Sequence, residues 1–360
     1  MSGEPADGSL LEVEHLEVHF PVRSGVLFDR GRSGKVHAVD DVSFSLLPGE
    51  TLGIVGESGC GKTTLIRALV RLLDPTGGRV RFRGSDITTA GRRQLGPVRR
   101  EMQMVFQDPQ ASLNPRKRVG QIIATPLRLL GVPGETVERR SRELLAQVGL
   151  NPEHLGRFPH EFSGGQRQRI GIARALAMEP RLIVLDEPVS ALDVSIQAQV
   201  INLLEELQES LGLSYVFVAH DLSIVRHIAD RIAVMYVGKV MELAPAGELY
   251  GKPIHPYTAA LLSAIPIPDP RENRARVRHV VAGEPPNPIS PPTGCRFHTR
   301  CPRVTDLCRT VEPPLAVYPG GHLAACHHPL NVSPAEIAAA TRSPASPLAA
   351  GSELPRAAAA

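Results

Sequence analysis

The sequence predicts an α/β protein built on a mostly parallel sheet. Segments of strand character alternate with helical ones along most of the chain, the pattern of helices packed on a sheet. "RLIVLDEP" (181–188) is apolar without interruption until it ends in two acids, as a central strand covered on both faces must be. The Gly-rich turn "GESGCGKT" (56–63) stands directly between a strand, "TLGIV", and a helix, "TTLIRALV".

The elements follow in order. "LLEVEHLEVHF" (10–20) alternates apolar and polar residues like a strand. "VHAVDDVSFSLLPGETLGIV" reads strand, turn, strand, and leads into the Gly-rich turn and its helix. From about 110 to 178 the pattern is helical, as in "ERRSRELLAQVGL". "IQAQVINLLEELQESLG" is an amphipathic helix with Gly212 as its C-cap. "SYVFVAHD" is a buried strand and "IAVMYVGKVMEL" a closing hairpin. From 265 to 293 proline dominates, which predicts an extended wrap with little regular structure. Residues 331–360, rich in Ala, Pro and Ser, are expected to be disordered.

Composition narrows the function. The 360 residues include 40 basic and 37 acidic side chains, a net charge of +3. That balance gives no case for a nucleic-acid partner, which calls for a clustered basic face. The N-terminal "MSGEPADGSL" has no apolar core of a signal peptide. No apolar run approaches the ~20 residues that span a bilayer. A cytosolic protein is expected, with any membrane span supplied by another chain.

"GESGCGKT" fits the phosphate-binding pattern G-x-x-x-x-G-K-[ST] in its proper strand–turn–helix context. Gly56, Gly59 and Gly61 let consecutive backbone N–H groups point at phosphate oxygens. Glu57, Ser58 and Cys60 in the turn and Thr64 after it are expected among the nucleotide-binding residues, Cys60 chiefly as filler of the loop. Lys62 is placed to reach the β- and γ-phosphates of ATP, and Thr63 to ligate Mg²⁺. At the end of the 181–188 strand, Asp186 is expected to hold Mg²⁺ and Glu187, pointing differently, to act as general base on water.

"EFSGGQRQRIGIARAL" (161–176) is more specific. Here the chain resembles the ATP-binding subunits of ABC transporters, whose signature is Ser-Gly-Gly-Gln at a helix start. The resemblance implies that Ser163, Gly164, Gly165 and Gln166 complete the ATP site of a second subunit. Phe162 replaces the usual leucine before the serine. Gln107 in "MVFQDP" matches the loop that senses Mg²⁺ and the membrane partner. Asp193 in "SALD" matches the loop that crosses the dimer interface, and His220 in "VFVAHD" the switch histidine. Phe20, or Phe28 in the insertion after it, matches the aromatic that stacks on adenine. The implied fold is a P-loop NTPase with a RecA-like core, an antiparallel β subdomain and an inserted helical subdomain (about 110–178). The ATPase domain spans 8–250 and a Pro-rich, Cys-containing extension 251–330.

"DPQASLNPR" (108–116), "HPYTAALLSAIP" (255–266) and "GCRFHTRC" (294–301) resemble the oligopeptide, dipeptide and nickel importer branch. The branch implies a second ATPase subunit, copy or paralogue, and two membrane-spanning permease subunits. A separate extracytoplasmic protein binds the cargo. It implies a peripheral location on the cytoplasmic face of the plasma membrane. Peptide is the expected cargo, with nickel, sugar or another solute as the alternative. A soluble ABC ATPase is the other class. Repair-type members carry a long coiled coil for which the separation of Lys62 from Asp186 leaves no room. Translation-type members carry two cassettes. An exporter half would usually lack the proline-rich extension.

Four of the five cysteines, Cys295, Cys301, Cys308 and Cys326, crowd the extension. In a reducing compartment such a cluster suits metal better than disulfides. The spacings are loose and lack a C-x2-C knuckle, which favours a [4Fe–4S] cluster over Zn²⁺. His298, His322, His327 and His328 could stand in at a zinc site, and unliganded thiols are the third possibility. A cluster would pin a segment too poor in apolar residues to pack alone. The ATP site, having its own core, is expected to be indifferent to it.

Overall fold

The structure, a computed structural model, describes residues 8–22, 34–265, 281 and 283–342. In chain order the strands are β1 (Leu11–Pro21), β2 (Lys35–Leu46), β3 (Thr51–Val55), β4 (Gly77–Phe82), β5 (Ser85–Asp86) and β6 (Met102–Val105). Then come β7 (Leu182–Asp186), β8 (Ser214–Ala219), β9 (Arg231–Tyr236), β10 (Lys239–Pro245), β11 (Ala316–Tyr318) and β12 (His322–Ala324). The described residues fall into two compact units, one drawn from 1–47, 52–89 and 220–360, the other from 48–51 and 90–219.

The first unit holds an antiparallel sheet in the order β2-β1-β4-β5. It also holds the run β11-β12-β10-β9-β3, in which β9 and β3 pair parallel and the other neighbours antiparallel. Every residue of β3 and β9 is buried. Gly53 on β3 is needed for that packing, since a Cβ there would lie 2.2 Å from Val225. The hairpin read from "IAVMYVGKVMEL" is β9–β10.

The second unit is built on the parallel strands β6-β7-β8, with β7 and β8 buried throughout. Its helices include Val119–Leu129, Gly134–Gln147 and Gly164–Leu176, inside the span expected to be helical. Helix Val194–Leu211 ends on Gly212 at φ 64°, the left-handed cap anticipated for it.

In the extension, β12 pairs with β10 and continues the sheet. One expectation changes: the tail is not wholly irregular, because Pro334–Arg342 is helical. Ser333 and Glu336 form a reciprocal cap at its start. Composition alone missed a helix whose buried Ala340 packs with Ile254, Ala316, Tyr318 and Ala324.

A buried carboxylate ties these parts together. Glu242 on β10 accepts the N–H groups of Ile254 (2.7 Å) and His255 (2.8 Å) and pairs with His322 Nε2 at 2.5 Å. His255 caps helix Pro256–Ala264, its Nδ1 accepting the Tyr257 N–H. Burial pushes its imidazole down from 6.5 to about 4, against the pull of Glu242. The unfolded ring gains a proton near pH 6.5 and the folded one only near 4. The neutral ring's contribution is therefore intact above pH 6.5 and declines as pH falls from there to 4, by about 3 kcal/mol in all. His255→Asn keeps a capping side chain. Its melting temperature should fall less between pH 7 and pH 4.5 than that of the parent. Equal falls would show that His255 is not the source.

Candidate functional site

The phosphate loop lies in the first unit. Gly56, Gly59 and Gly61 all have positive φ (154°, 79° and 107°). At two of them a side chain has no room, with a Cβ falling 2.2 Å from the Met235 carbonyl oxygen at Gly56 and 2.0 Å from that of Ala38 at Gly61. At Gly59 a Cβ would meet nothing within 4 Å. The loop is a tight cradle, closed against β2 and β9. Helix Lys62–Leu69 starts at Gly61, so Thr63 and Thr64 sit in its first turn. Lys62 is buried, its ammonium donating to the carbonyls of Gly56 (2.7 Å) and Glu57 (3.1 Å). Cys60 is buried with its thiol pushed up by desolvation, which suits a filler of the loop rather than a nucleophile.

The carboxylates lie in the second unit. Asp186 is buried at the carboxyl end of β7. Glu187 leaves the strand with φ 44°, a left-handed conformation costly for a residue with a Cβ. Its N–H donates to Val218 O (3.1 Å), and its carbonyl accepts from Ser190 N (3.2 Å) and Oγ (3.1 Å). These bonds hold the turn that aims Glu187 away from Asp186. Gln107, 80 positions earlier, meets Glu187, Nε2 to Oε2 at 3.0 Å.

Ser163 and Gln166 form a capping box on helix Gly164–Leu176, with Ser163 Oγ accepting from Gln166 N (3.3 Å) and Gln166 Oε1 from Ser163 N (3.0 Å). A Cβ on Gly165 would lie 2.3 Å from Ile196 Cγ2. Phe162 is buried edge-on against His154 at 5.8 Å. Asp193 opens helix Val194–Leu211 without a side-chain cap bond. Sequence reading missed Gln197, whose Nε2 donates to the carbonyls of Val189 (3.1 Å) and Leu192 (3.0 Å) and so shapes the "SALD" turn. His220 is exposed just beyond β8, before the helix capped by Asp221. Phe20 on β1 is 38% exposed, which removes it from the core and leaves its ring available for stacking. Phe28 lies outside the described residues.

Comparison with known proteins now decides the family. Residues 39–190 match the model of the ABC transporter family, and residues 241–308 that of the oligopeptide/dipeptide transporter C-terminal region. The chain is 55% identical over 323 residues to the oligopeptide transport ATP-binding protein AppF of Bacillus subtilis, covering 89% of this chain and 97% of the relative. The chain belongs to the ATP-binding proteins of oligopeptide-type ABC transporters. Another relative, OppF of Haemophilus influenzae, is 49% identical over 88% of this chain and 96% of its own. Among solved structures, cbiO1 of Clostridium perfringens, part of the ABC transporter complex cbiONQ, aligns with TM-score 0.60 at 28% identity over 68% of this chain and 92% of that one. The ATP-binding cassette MJ0796, a post-hydrolysis dimer bound to ADP and Pi, aligns with TM-score 0.58 at 28% identity over 66% and 98%. The ABC ATPase fold expected from the sequence is thereby established. Among the described residues no helix is long and apolar enough to cross a membrane.

In this ABC ATPase the extension brings the four cysteines together. Burial raises the Cys295 thiol to about 11 and that of Cys326 to about 12, and the sulfurs are near enough that charge on one opposes charge on the others. Thiolates there would be stabilised only beside a cation. Gly294, at φ 66°, lets Cys295 N–H reach Cys308 O at 2.9 Å, since a Cβ would sit 2.4 Å from that oxygen. A tetrahedral Zn²⁺ draws its sulfurs to about 3.8 Å of one another, from a bond of about 2.3 Å. Among the described residues, the one set of three or more potential ligand atoms all within 4.8 Å is His19, His37 and Asp40, so no three cysteine sulfurs are that close. That His/Asp set is already served by cations. Burial works to raise the Asp40 carboxyl, but Lys239, Arg296 and the histidines hold it below the usual range.

The four histidines offered as zinc substitutes have other partners. His298 Nδ1 lies 2.9 Å from Cys295 O, His327 Nε2 2.9 Å from Val311 O, and His328 Nε2 2.8 Å from Thr305 Oγ1, while His322 holds Glu242.

Proposed function

We propose that this chain is the ATP-hydrolysing subunit of an importer for di- or oligopeptides. The reading is carried by the 55% identity to AppF along 97% of that protein, extension included. Two ATPase subunits, copies or paralogues, close head to tail, with ATP between the phosphate loop of one and Ser163–Gln166 of the other. Gln107 and the surface around 108–120 pass closure to two permease subunits. A binding protein on the far side delivers the cargo. The chain works peripherally on the cytoplasmic face of the membrane.

Lys62 and the loop amides bind the β- and γ-phosphates, Phe20 stacks on adenine, and Glu57, Ser58, Cys60 and Thr64 shape the cradle. Thr63, Asp186 and Gln107 would hold Mg²⁺, which neutralises charge on the phosphates. Glu187 accepts the proton of the attacking water, oriented by Gln107 at 3.0 Å, and His220 contacts the γ-phosphate. Asp193 answers the partner across the interface.

The cysteines hold a [4Fe–4S] cluster in this reading, supported by four thiols close enough to oppose one another's charge and by spacings without a C-x2-C knuckle. Its role is structural.

Anaerobic purification of the intact complex from native membranes tests both parts. Two multispanning subunits should co-purify, and reconstituted vesicles should accumulate peptide only with ATP. Iron and acid-labile sulfide should each appear at about four per cysteine-bearing subunit. A chain that never associates with membrane subunits would end the importer reading, and uptake of nickel or a sugar instead of peptide would change the cargo. One zinc without sulfide would replace the cluster.

A further inference from the structure

Glu57, the second residue of the phosphate loop and its one acid, is gripped from three sides. Its N–H donates to Tyr257 Oη at 3.1 Å. Its carbonyl accepts from the Lys62 ammonium at 3.1 Å. Its carboxylate accepts from Arg300 Nη1 at 2.8 Å. Arg300 belongs to the cysteine-bearing extension, 243 positions along the chain and immediately before Cys301.

This contact is built into the structure. Only 8% of the Arg300 side chain is exposed. Its Nη1 also reaches Tyr236 Oη at 3.2 Å, and its guanidinium lies 5.8 Å from the Tyr236 ring. Phe297, one turn earlier and fully buried, packs against Tyr236 (5.3 Å, edge-on) and Tyr257 (5.2 Å). Arg296 pairs with Asp40 on β2. The segment between Cys295 and Cys301 is thus a plug, fixed to the ATPase strands by two buried guanidinium groups, each on a partly exposed carboxylate, and an aromatic between them. Residues 284–288, before the plug, line an open cleft of about 510 Å³ together with the loop, with Glu284 and Pro286 on one side and Glu57, Ser58 and Tyr236 on the other.

The electrostatics give the contact a consequence. A free carboxylate on a loop that takes a triphosphate repels the ligand. A guanidinium fork cancels that charge and fixes the carboxylate's direction as a point charge cannot. We propose that Arg300 is a positioning residue of the ATP site: by clamping Glu57 it neutralises the loop's acid and fixes the loop backbone, so that ATP affinity depends on the Cys295–Cys301 plug. This rests on the phosphate loop being the ATP site. It departs from the expectation that the ATP site ignores the extension.

The test uses the full chain and its complex. Arg300→Ala should weaken ATP binding about tenfold, the loss of one charge-assisted contact. The KM for ATP should rise in step while kcat changes less than about threefold. Arg300→Lys should recover part of the affinity. Arg300→Ala with Glu57→Gln should recover most of it, because the uncompensated charge is gone. Arg300→Gln serves if the alanine variant is poorly folded. Lys62→Ala is the control: if it too binds ATP normally, the loop reading fails, not the clamp. With that control behaving, wild-type affinity in both Arg300→Ala and Arg300→Gln overturns the proposal. So does a double variant as weak as Arg300→Ala alone, because Arg300 would then act by packing.

Discussion

Glu187→Gln should cut ATP turnover by about 10²- to 10⁴-fold, the range of a positioned general base, while ATP binding stays nearly intact. The substitution is isosteric. The turn that aims the side chain is held by backbone bonds to Val218 and Ser190, which it leaves alone. Gln107 Nε2 needs an acceptor where Glu187 Oε2 now stands at 3.0 Å, and the new amide can turn its oxygen there. What is lost is the ability to take a proton. ATP should then hold two subunits together, so a nucleotide-dependent dimer should accumulate by size-exclusion chromatography. Turnover within about threefold of the parent would remove Glu187 from the role of base.

Ser163→Asp should abolish ATP-driven dimer formation and leave nucleotide affinity of the isolated chain unchanged. The structure recommends this substitution over one at Gly165, whose Cβ would run into Ile196 at 2.3 Å and disturb the subunit's own packing. Aspartate caps a helix about as well as serine, so the bond now made to Gln166 N can persist. The change is then mainly electrostatic, a negative charge where the partner's γ-phosphate is expected. Ser163→Asn, neutral and also a good cap, should dimerise far better. A matching fall in monomer affinity for Ser163→Asp would mean the signature turn serves its own chain's nucleotide rather than a partner's.

The sequence by itself determined those parts whose physics is local. A phosphate cradle needs glycines at fixed offsets before a lysine and a helix start, and Gly56, Gly59 and Gly61 all take positive φ there. The same holds for Gly212 ending its helix, and for strands such as β7 whose unbroken apolarity signals burial on both faces. Family membership was legible for the same reason, in short motifs whose order survives in one dimension. Tertiary structure decided what distant residues do to one another. Gln107 meets Glu187 from 80 positions away, and Arg300 meets Glu57 from 243. His322, a plausible metal ligand in the sequence, is instead committed to a carboxylate buried on β10. The extension, composed like a separate appendage, adds β12 to the sheet and a plug beneath the phosphate loop. Such pairs leave no local trace, because a buried charge is tolerable only beside its partner, and only the folded chain says which residue that partner is.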